Sequence, residues 1–416
     1  MSTPPFHYDR NDLFCEDVPL ADIAARARTP CYVYSSRAIL DAWRAYDEAL
    51  AGLPHRVCYA VKANSSLAVL ALLARAGSGF DIVSGGELYR VLKAGGDPGG
   101  IVFSGVGKTA SEVEYALEQR IHSFNCESEA ELALIDALAA RQGVTARVSV
   151  RVNPDVDAET HPYVTTGLRE NKFGIDIAGA EAVYQRAAVL PRLEIEGVSC
   201  HIGSQLLDAA PVLLSLEKML ALVERLRARG ISIRSLDLGG GLGVPYRPGE
   251  EAPRIPSFVE EVRRRIEGLD LFLMLEPGRS IVAEAGVLLT RVLYRKCTAA
   301  KEFIVVDAAM NDLIRPALYR SHHEIIPVRA ARRGKIVADV VGPVCETGDF
   351  LARDRELDDV LPGDLLAVAT AGAYGFVAAS NYNSRLRPAE ILVDGASWRI
   401  VRARESYEDL TRGEAL

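Results

Sequence analysis

The feature that most constrains this chain is an alternation of strand-like and helix-like runs from about residue 57 to residue 280. Eight apolar runs have strand character: "VCYAVKAN", "GFDIVSGG", "IVFSG", "HSFNCES", "RVSVRVNP", "IEGVSCHIGS", "IRSLDLGGG" and "LFLMLEPGRS". Helical patterns lie between them. "SLAVLALLARAG" stops at Gly77, and "TASEVEYALEQR" opens with a Thr/Ser cap and an early Glu. "GGELYRVLKAGG", "SEAELALIDALAARQG", "GAEAVYQRAAVL", "VLLSLEKMLALVERLRARG" and "SFVEEVRRRIEG" complete the series. Eight strands with helical patterns between them, in a segment of about 245 residues if it is counted from residue 37, predict a (β/α)8 TIM barrel. An open, doubly wound sheet is the competing arrangement. "LDLGGGLG" is a weak dinucleotide fingerprint, because it comes seventh in the series rather than first.

After Ser280 the texture changes. "EAGVLLTRVLYRKC", "KEFIVVDAA", "GKIVADVVGPVCE" and "AEILVDGASWRIVRARE" are strand-like runs broken by Gly, Pro and Asp, which predicts an all-β domain. The early "CYVYSS" is also strand-like and is expected to pack with it. The expected division is a barrel over 37–280 and a β-sandwich or barrel-like domain built from 1–36 and 281–416.

Composition narrows the function. The 416 residues are 49% hydrophobic, ample for a core, and the net charge of −8 lacks the basic footprint of a nucleic-acid binder. No apolar run reaches the roughly 18 residues of a membrane span, and "MSTPPFHYDRNDLF" does not read as a signal peptide. A cytoplasmic protein without nucleic-acid or membrane partners is the expectation. The seven cysteines, at 15, 31, 58, 126, 200, 297 and 345, are odd in number and have no CxxC spacing. That pattern predicts neither a disulfide framework nor a metal site.

In such a barrel the active site lies at the C-terminal ends of the strands. Lys62, Asp81 and Ser84, Arg151 and Asn153, His201 with Gly203 and Ser204, Gly239–Gly241, and Glu276 with Gly278 and Arg279 all fall at those ends. Any one of them alone is ordinarily structural; their convergence on six strand ends points to a site. Gly239–Gly241, Ser204 and the Gly278–Arg279 backbone would cradle a phosphate. A lysine stripped of water opposite them would be a nucleophilic amine. With Glu276 against a pyridine nitrogen and His201 on the ring face, the set suggests pyridoxal 5'-phosphate held by Lys62 as a Schiff base. A cofactor-free lysine barrel of aldolase type remains the alternative at this level.

The ordered motifs "YAVKAN", "FDIVSGGEL", "HIGSQ", "LDLGGGLGVPY", "EPGRS", "RPALY", "GPVCETGDF" and "AGAYGFVAASNYNSRLRPAE" span about residues 57 to 390. In that combination the chain resembles the barrel-type pyridoxal-phosphate decarboxylases, the group with the alanine-racemase-like fold. Within that group it is similar to the diaminopimelate decarboxylase family. The resemblance implies decarboxylation of meso-2,6-diaminopimelate to L-lysine, with Lys62, His201 and Cys345 as catalytic residues and Cys345 as proton donor. It implies cofactor contacts from Asp81, Arg151, Ser204, Gly240, Gly241, Glu276, Gly278, Arg279 and Tyr374. It implies substrate contacts from Arg279, Arg315, Tyr319, Glu346 and Tyr374. It also implies a homodimer in which the "CE" pair, Cys345–Glu346, completes the neighbour's site.

Two arginines and a tyrosine suit a remote carboxylate, because guanidinium forks bind carboxylates bidentately. A decarboxylase for ornithine, lysine, arginine or carboxynorspermidine is the nearest alternative, and a cationic substrate tail would call for acidic residues instead. "VCETGD" counts against an amino-acid racemase, and the long segment after Ser280 against a non-catalytic pyridoxal-phosphate carrier.

Overall fold

The computed structural model describes residues 4–157, 172–330 and 333–416. The alternating segment forms eight parallel strands: β1 (His55–Ala60), β2 (Gly79–Ile82), β3 (Ile101–Phe103), β4 (Ser123–Cys126), β5 (Ala146–Asn153), β6 (Leu193–Ser199), β7 (Ser235–Asp237) and β8 (Phe272–Leu275). Each pairs with the next, and β8 returns to β1 with Leu273 opposite His55. Both edges of the sheet are therefore used, which makes it a closed barrel and excludes the open, doubly wound alternative.

Local chemistry sets the element ends. β2, β3 and β4 are buried along their whole length, as expected for strands covered on both faces. Ser84 and Ser128 each accept from a backbone N–H three residues on and so cap the helices Gly85–Lys93 and Glu129–Gln142. Thr109 and Glu112 form a reciprocal capping box on Ala110–Glu118. Gly77 ends Leu67–Ala76 at φ 93°, a left-handed conformation that glycine adopts without a Cβ clash. The helices Ile177–Ala187, Ala210–Ala228 and Ile255–Ile266 fill the later connections.

The chain divides into two compact units, one of Ala42–Val244 with Glu251–Ser280, the other of Met1–Asp41 with Pro245–Glu250 and Ile281–Leu416. The second is β-rich. Its long strand Gly286–Cys297 pairs with Cys31–Ser35, Glu302–Val306 and Leu365–Val368. Cys31–Ser35 also runs parallel to Ala389–Asp394, so the early "CYVYSS" does join this sheet. Leu13, Ile23, Val33, Leu289, Ala367 and Ile391 are among its buried core. Its helices are short, and one of them, Arg315–Tyr319, carries two of the expected substrate residues. Among the described residues no helix is long and apolar enough to cross a membrane.

Candidate active site

Lys62 does not lie on the strand itself. β1 ends at Ala60, and Lys62 sits in the 3-10 turn Val61–Ala63 that follows. Its Nζ pairs with Oδ2 of Asp81, from the next strand, whose side chain is 0% exposed, while 36% of the lysine side chain is exposed. A charged partner one strand away holds the amine, and solvent still reaches it. The other carboxylate oxygen of Asp81, Oδ1, is buried with no hydrogen-bond partner among the described residues, an arrangement that costs free energy unless something else occupies the site.

A second acid lies under the barrel mouth. Glu276 follows β8 and is buried. Its Oε1 accepts from Ser104 Oγ (3.3 Å) and from Asn125 Nδ2 (3.2 Å). The same amide donates to Asp237 Oδ2 at 2.9 Å and reaches Ser104 Oγ at 3.2 Å, so its two hydrogens serve three acceptors. Asp237 is fixed in turn by the N–H of Gly239 (2.8 Å). Burial, then the charges of Asp237 and Asp81, push Glu276 well above the usual carboxylate range. The same crowding of buried acids favours the neutral form of Glu276. Asn125 is supported from behind by Lys108, whose Nζ donates to the Asn125 carbonyl (2.8 Å) and to buried Glu131 (2.6 Å).

His201 lies two residues beyond β6. The N–H of Gly240 donates to its Nδ1 (3.2 Å), which places the ring proton on Nε2. Burial, then Arg151 and Lys62, depress its pKa well below the usual histidine range, so the imidazole is neutral. Arg151 is itself clamped by Glu127 (2.7 Å) and donates to the His201 carbonyl (3.3 Å). Ser204 Oγ accepts from Arg279 (3.0 Å), which joins the loops after β6 and β8. The glycines between them have a structural reason in addition to the expected cradle. A Cβ at Gly240 would collide with the Glu276 carbonyl, and one at Gly278 would sit 3.0 Å from the Cβ atoms of Ala60 and Ala63. Only glycine lets the strand ends of β7, β8 and β1 approach so closely.

These residues fit pyridoxal phosphate. A primary amine at the mouth, a buried carboxyl pushed towards its neutral form, a neutral imidazole and a glycine-lined turn with Ser204 and Arg279 are the donor set such a group requires.

The remaining expected residues belong to the β-rich unit. Arg315 is 6% exposed. Its guanidinium carbon lies 4.9 Å from the ring centre of Tyr246 and 6.0 Å from that of Tyr319. Tyr374 has a left-handed φ of 56°, in a loop where Gly372 and Gly375 pack with no room for a Cβ. Cys345 and Glu346 are exposed. The Cys345 N–H donates to Asn383 Oδ1 (2.6 Å) and Tyr382 donates to Glu346 (3.3 Å), so the loop is held while its tip faces outward.

The family described as pyridoxal-dependent decarboxylase, pyridoxal binding domain, matches residues 36–283. A curated diaminopimelate decarboxylase of Pseudomonas aeruginosa is 59% identical over 99% of both chains, and one of Vibrio cholerae is 53% identical over 97% of both. The chain belongs to the diaminopimelate decarboxylase family. A crystal structure of diaminopimelate decarboxylase from Helicobacter pylori with L-lysine superposes with TM-score 0.91 at 44% identity, covering 94% of this chain and 98% of that one. The M. jannaschii enzyme in co-complex with L-lysine gives 0.94 at 38%, covering 99% and 98%.

Within this family member, Asn125, Ser104, Asp237 and Glu127 were not singled out from the sequence. Asn125 in "SFNC", Ser104 in "VFSG" and Asp237 in "LDLGGG" each sit at or just past a strand end, and that position was the available signal.

Proposed function

We propose that this protein is a pyridoxal 5'-phosphate-dependent decarboxylase that converts meso-2,6-diaminopimelate to L-lysine and carbon dioxide, the last step of lysine biosynthesis. The observation that carries the reading is the buried Glu276 at the same barrel mouth as Lys62, in a chain that matches a diaminopimelate decarboxylase over 99% of its length.

When bound, the cofactor supplies an electron sink for the pair released as the carboxylate leaves. Lys62 would hold it through Nζ, with Asp81 placed to take the amine's proton. Glu276 keeps a proton available at the ring nitrogen, and the Asn125–Asp237 pair fixes which way its carboxyl points. Neutral His201 presents a flat, uncharged face, held by Gly240 and Arg151. Ser204, Gly241, Gly278, Arg279 and Tyr374 are assigned to the phosphate. Arg279, Arg315, Tyr319 and Glu346 are assigned to the distal end of the substrate. Anchoring that end sets which bond at the reacting carbon is broken.

Cys345 is assigned as proton donor to the reacting carbon. Its exposure at a loop tip supports a homodimer, because a donor has to be enclosed and a second copy can enclose it. The cytoplasm is the proposed location. The test is a substrate panel: with added pyridoxal phosphate, meso-diaminopimelate should turn over at least about 100-fold faster than lysine, ornithine or arginine. A preference for any of those three would overturn the substrate assignment.

A further inference from the structure

Arg315 is held by a histidine that no substrate or cofactor role accounts for. His323 is 0% exposed. Its Nδ1 lies 2.9 Å from the carbonyl oxygen of Ala369. A carbonyl only accepts, so Nδ1 carries the ring proton and Nε2 presents a lone pair. Arg315 Nε donates to that Nε2 at 3.3 Å. The tautomer chosen by one backbone oxygen thus decides whether the arginine finds an acceptor or a second donor.

Other contacts fix the same guanidinium. One terminal nitrogen of Arg315 donates to Ser321 Oγ (3.3 Å). The Tyr246 ring packs on its face and meets His323 edge-on, with ring centres 5.2 Å apart at 78°. The His323 carbonyl accepts from Arg355 (2.9 Å), which ties the histidine backbone to the strand Phe350–Asp358. Arg315 opens a helix of only five residues, too short to orient so long a side chain unaided.

We propose that His323 is a positioning residue for substrate recognition. Its neutral imidazole, through Nε2, sets the plane and direction of the Arg315 guanidinium and so governs affinity for the distal carboxylate of the substrate. This rests on the reading of Arg315 as a substrate ligand. A fork that binds a carboxylate bidentately gains only if both N–H vectors point correctly, so losing the acceptor at Nε weakens binding more than turnover.

The test is a set of holoenzyme variants assayed for KM, kcat and the cofactor absorbance band. His323→Asn can still bond the Ala369 carbonyl but is too short to reach Arg315, whereas His323→Gln places an amide oxygen near the Nε2 position. His323→Phe keeps the ring and removes both bonds. KM for meso-diaminopimelate should rise about tenfold in His323→Asn and His323→Phe, with kcat changed less than about threefold and the cofactor band intact. His323→Gln should return KM to within about threefold of the parent, and in an Arg315→Met background His323→Asn should add less than about twofold. If His323→Phe does not fold, the Asn/Gln pair decides. A normal KM in His323→Asn, or no recovery in His323→Gln, overturns the positioning role while leaving Arg315 as ligand. A normal KM in Arg315→Met removes the ligand reading and the proposal with it.

Discussion

Replacing Gly239 with alanine tests whether the glycine turn places His201. Gly239 has φ +67°, and a Cβ there would lie 2.7 Å from both the Cys200 carbonyl and His201 Nδ1 and 2.9 Å from the His201 Cβ. Ordinary contact begins near 3.4 Å, so the His201 ring has to retreat by roughly 0.7 Å, and the backbone oxygen cannot. The left-handed conformation costs about 1–2 kcal/mol for a residue with a side chain, and overpacking adds about 1–3 kcal/mol. At about 2–4 °C per kcal/mol for a unit of this size, the apparent Tm of Gly239→Ala should fall by roughly 4–20 °C. If His201 packs on the cofactor as assigned above, a displacement of roughly 0.7 Å should lower kcat by about 10- to 100-fold. Thermal denaturation of the holoenzyme and carbon dioxide release read the two effects separately. Gly179→Ala is the control: it is in the helix Ile177–Ala187 with open space around it and should be neutral or stabilising. A Gly239→Ala enzyme with kcat and Tm within error of the parent would refute the account of the turn.

Glu276→Gln should keep the cofactor but lose about 100-fold or more in kcat, because the amide donates a hydrogen bond but has no acidic proton to transfer to the ring nitrogen and no carboxylate charge to stabilise it; a kcat within threefold of the parent would remove that role. Glu87, whose Oε2 accepts from the Val83 N–H (2.8 Å), has its pKa pushed up by burial to about 7. The folded protein holds that proton longer than the unfolded chain, so the group's contribution is most favourable below about pH 4.5 and is lost as pH rises through about 7. The Tm gain of Glu87→Gln over the parent should accordingly grow from pH 5 to pH 8, and a gain independent of pH would contradict it. Mixing Lys62→Ala with Cys345→Ala chains, each nearly inactive alone, should restore roughly a quarter of parent activity if sites are shared between two copies. No recovery, with subunit exchange confirmed by mass spectrometry, would mean each chain builds its own site.

The barrel was legible because its signals are local: apolar runs of strand length, and Ser84, Thr109, Ser128 and Gly77 at helix ends where caps belong. Lys62 stood out because a lysine closing a buried run needs a reason. Its ionic partner was visible as a residue but not as a pair, since only the pairing of Ala60 with Asp81 across β1 and β2 brings them together. Asn125, Ser104 and Asp237 are ordinary polar residues in sequence. They become one network only when closure carries β3, β4, β7 and β8 to a common mouth. In sequence the glycines stand out only as ligand contacts, whereas Gly239 and Gly240 are equally required by backbones that approach too closely for a side chain. His323 carried no signal at all: its function lies in a tautomer set by Ala369, 46 positions away.

The most direct measurement is the product balance of the wild-type enzyme beside its Lys62→Ala variant, both supplied with pyridoxal phosphate and meso-diaminopimelate. Carbon dioxide and L-lysine should appear in equal amounts, one of each per substrate consumed, and Lys62→Ala should form neither above the background of cofactor alone. Carbon dioxide without lysine, or a Lys62→Ala enzyme that turns over at the parent rate, would contradict the account.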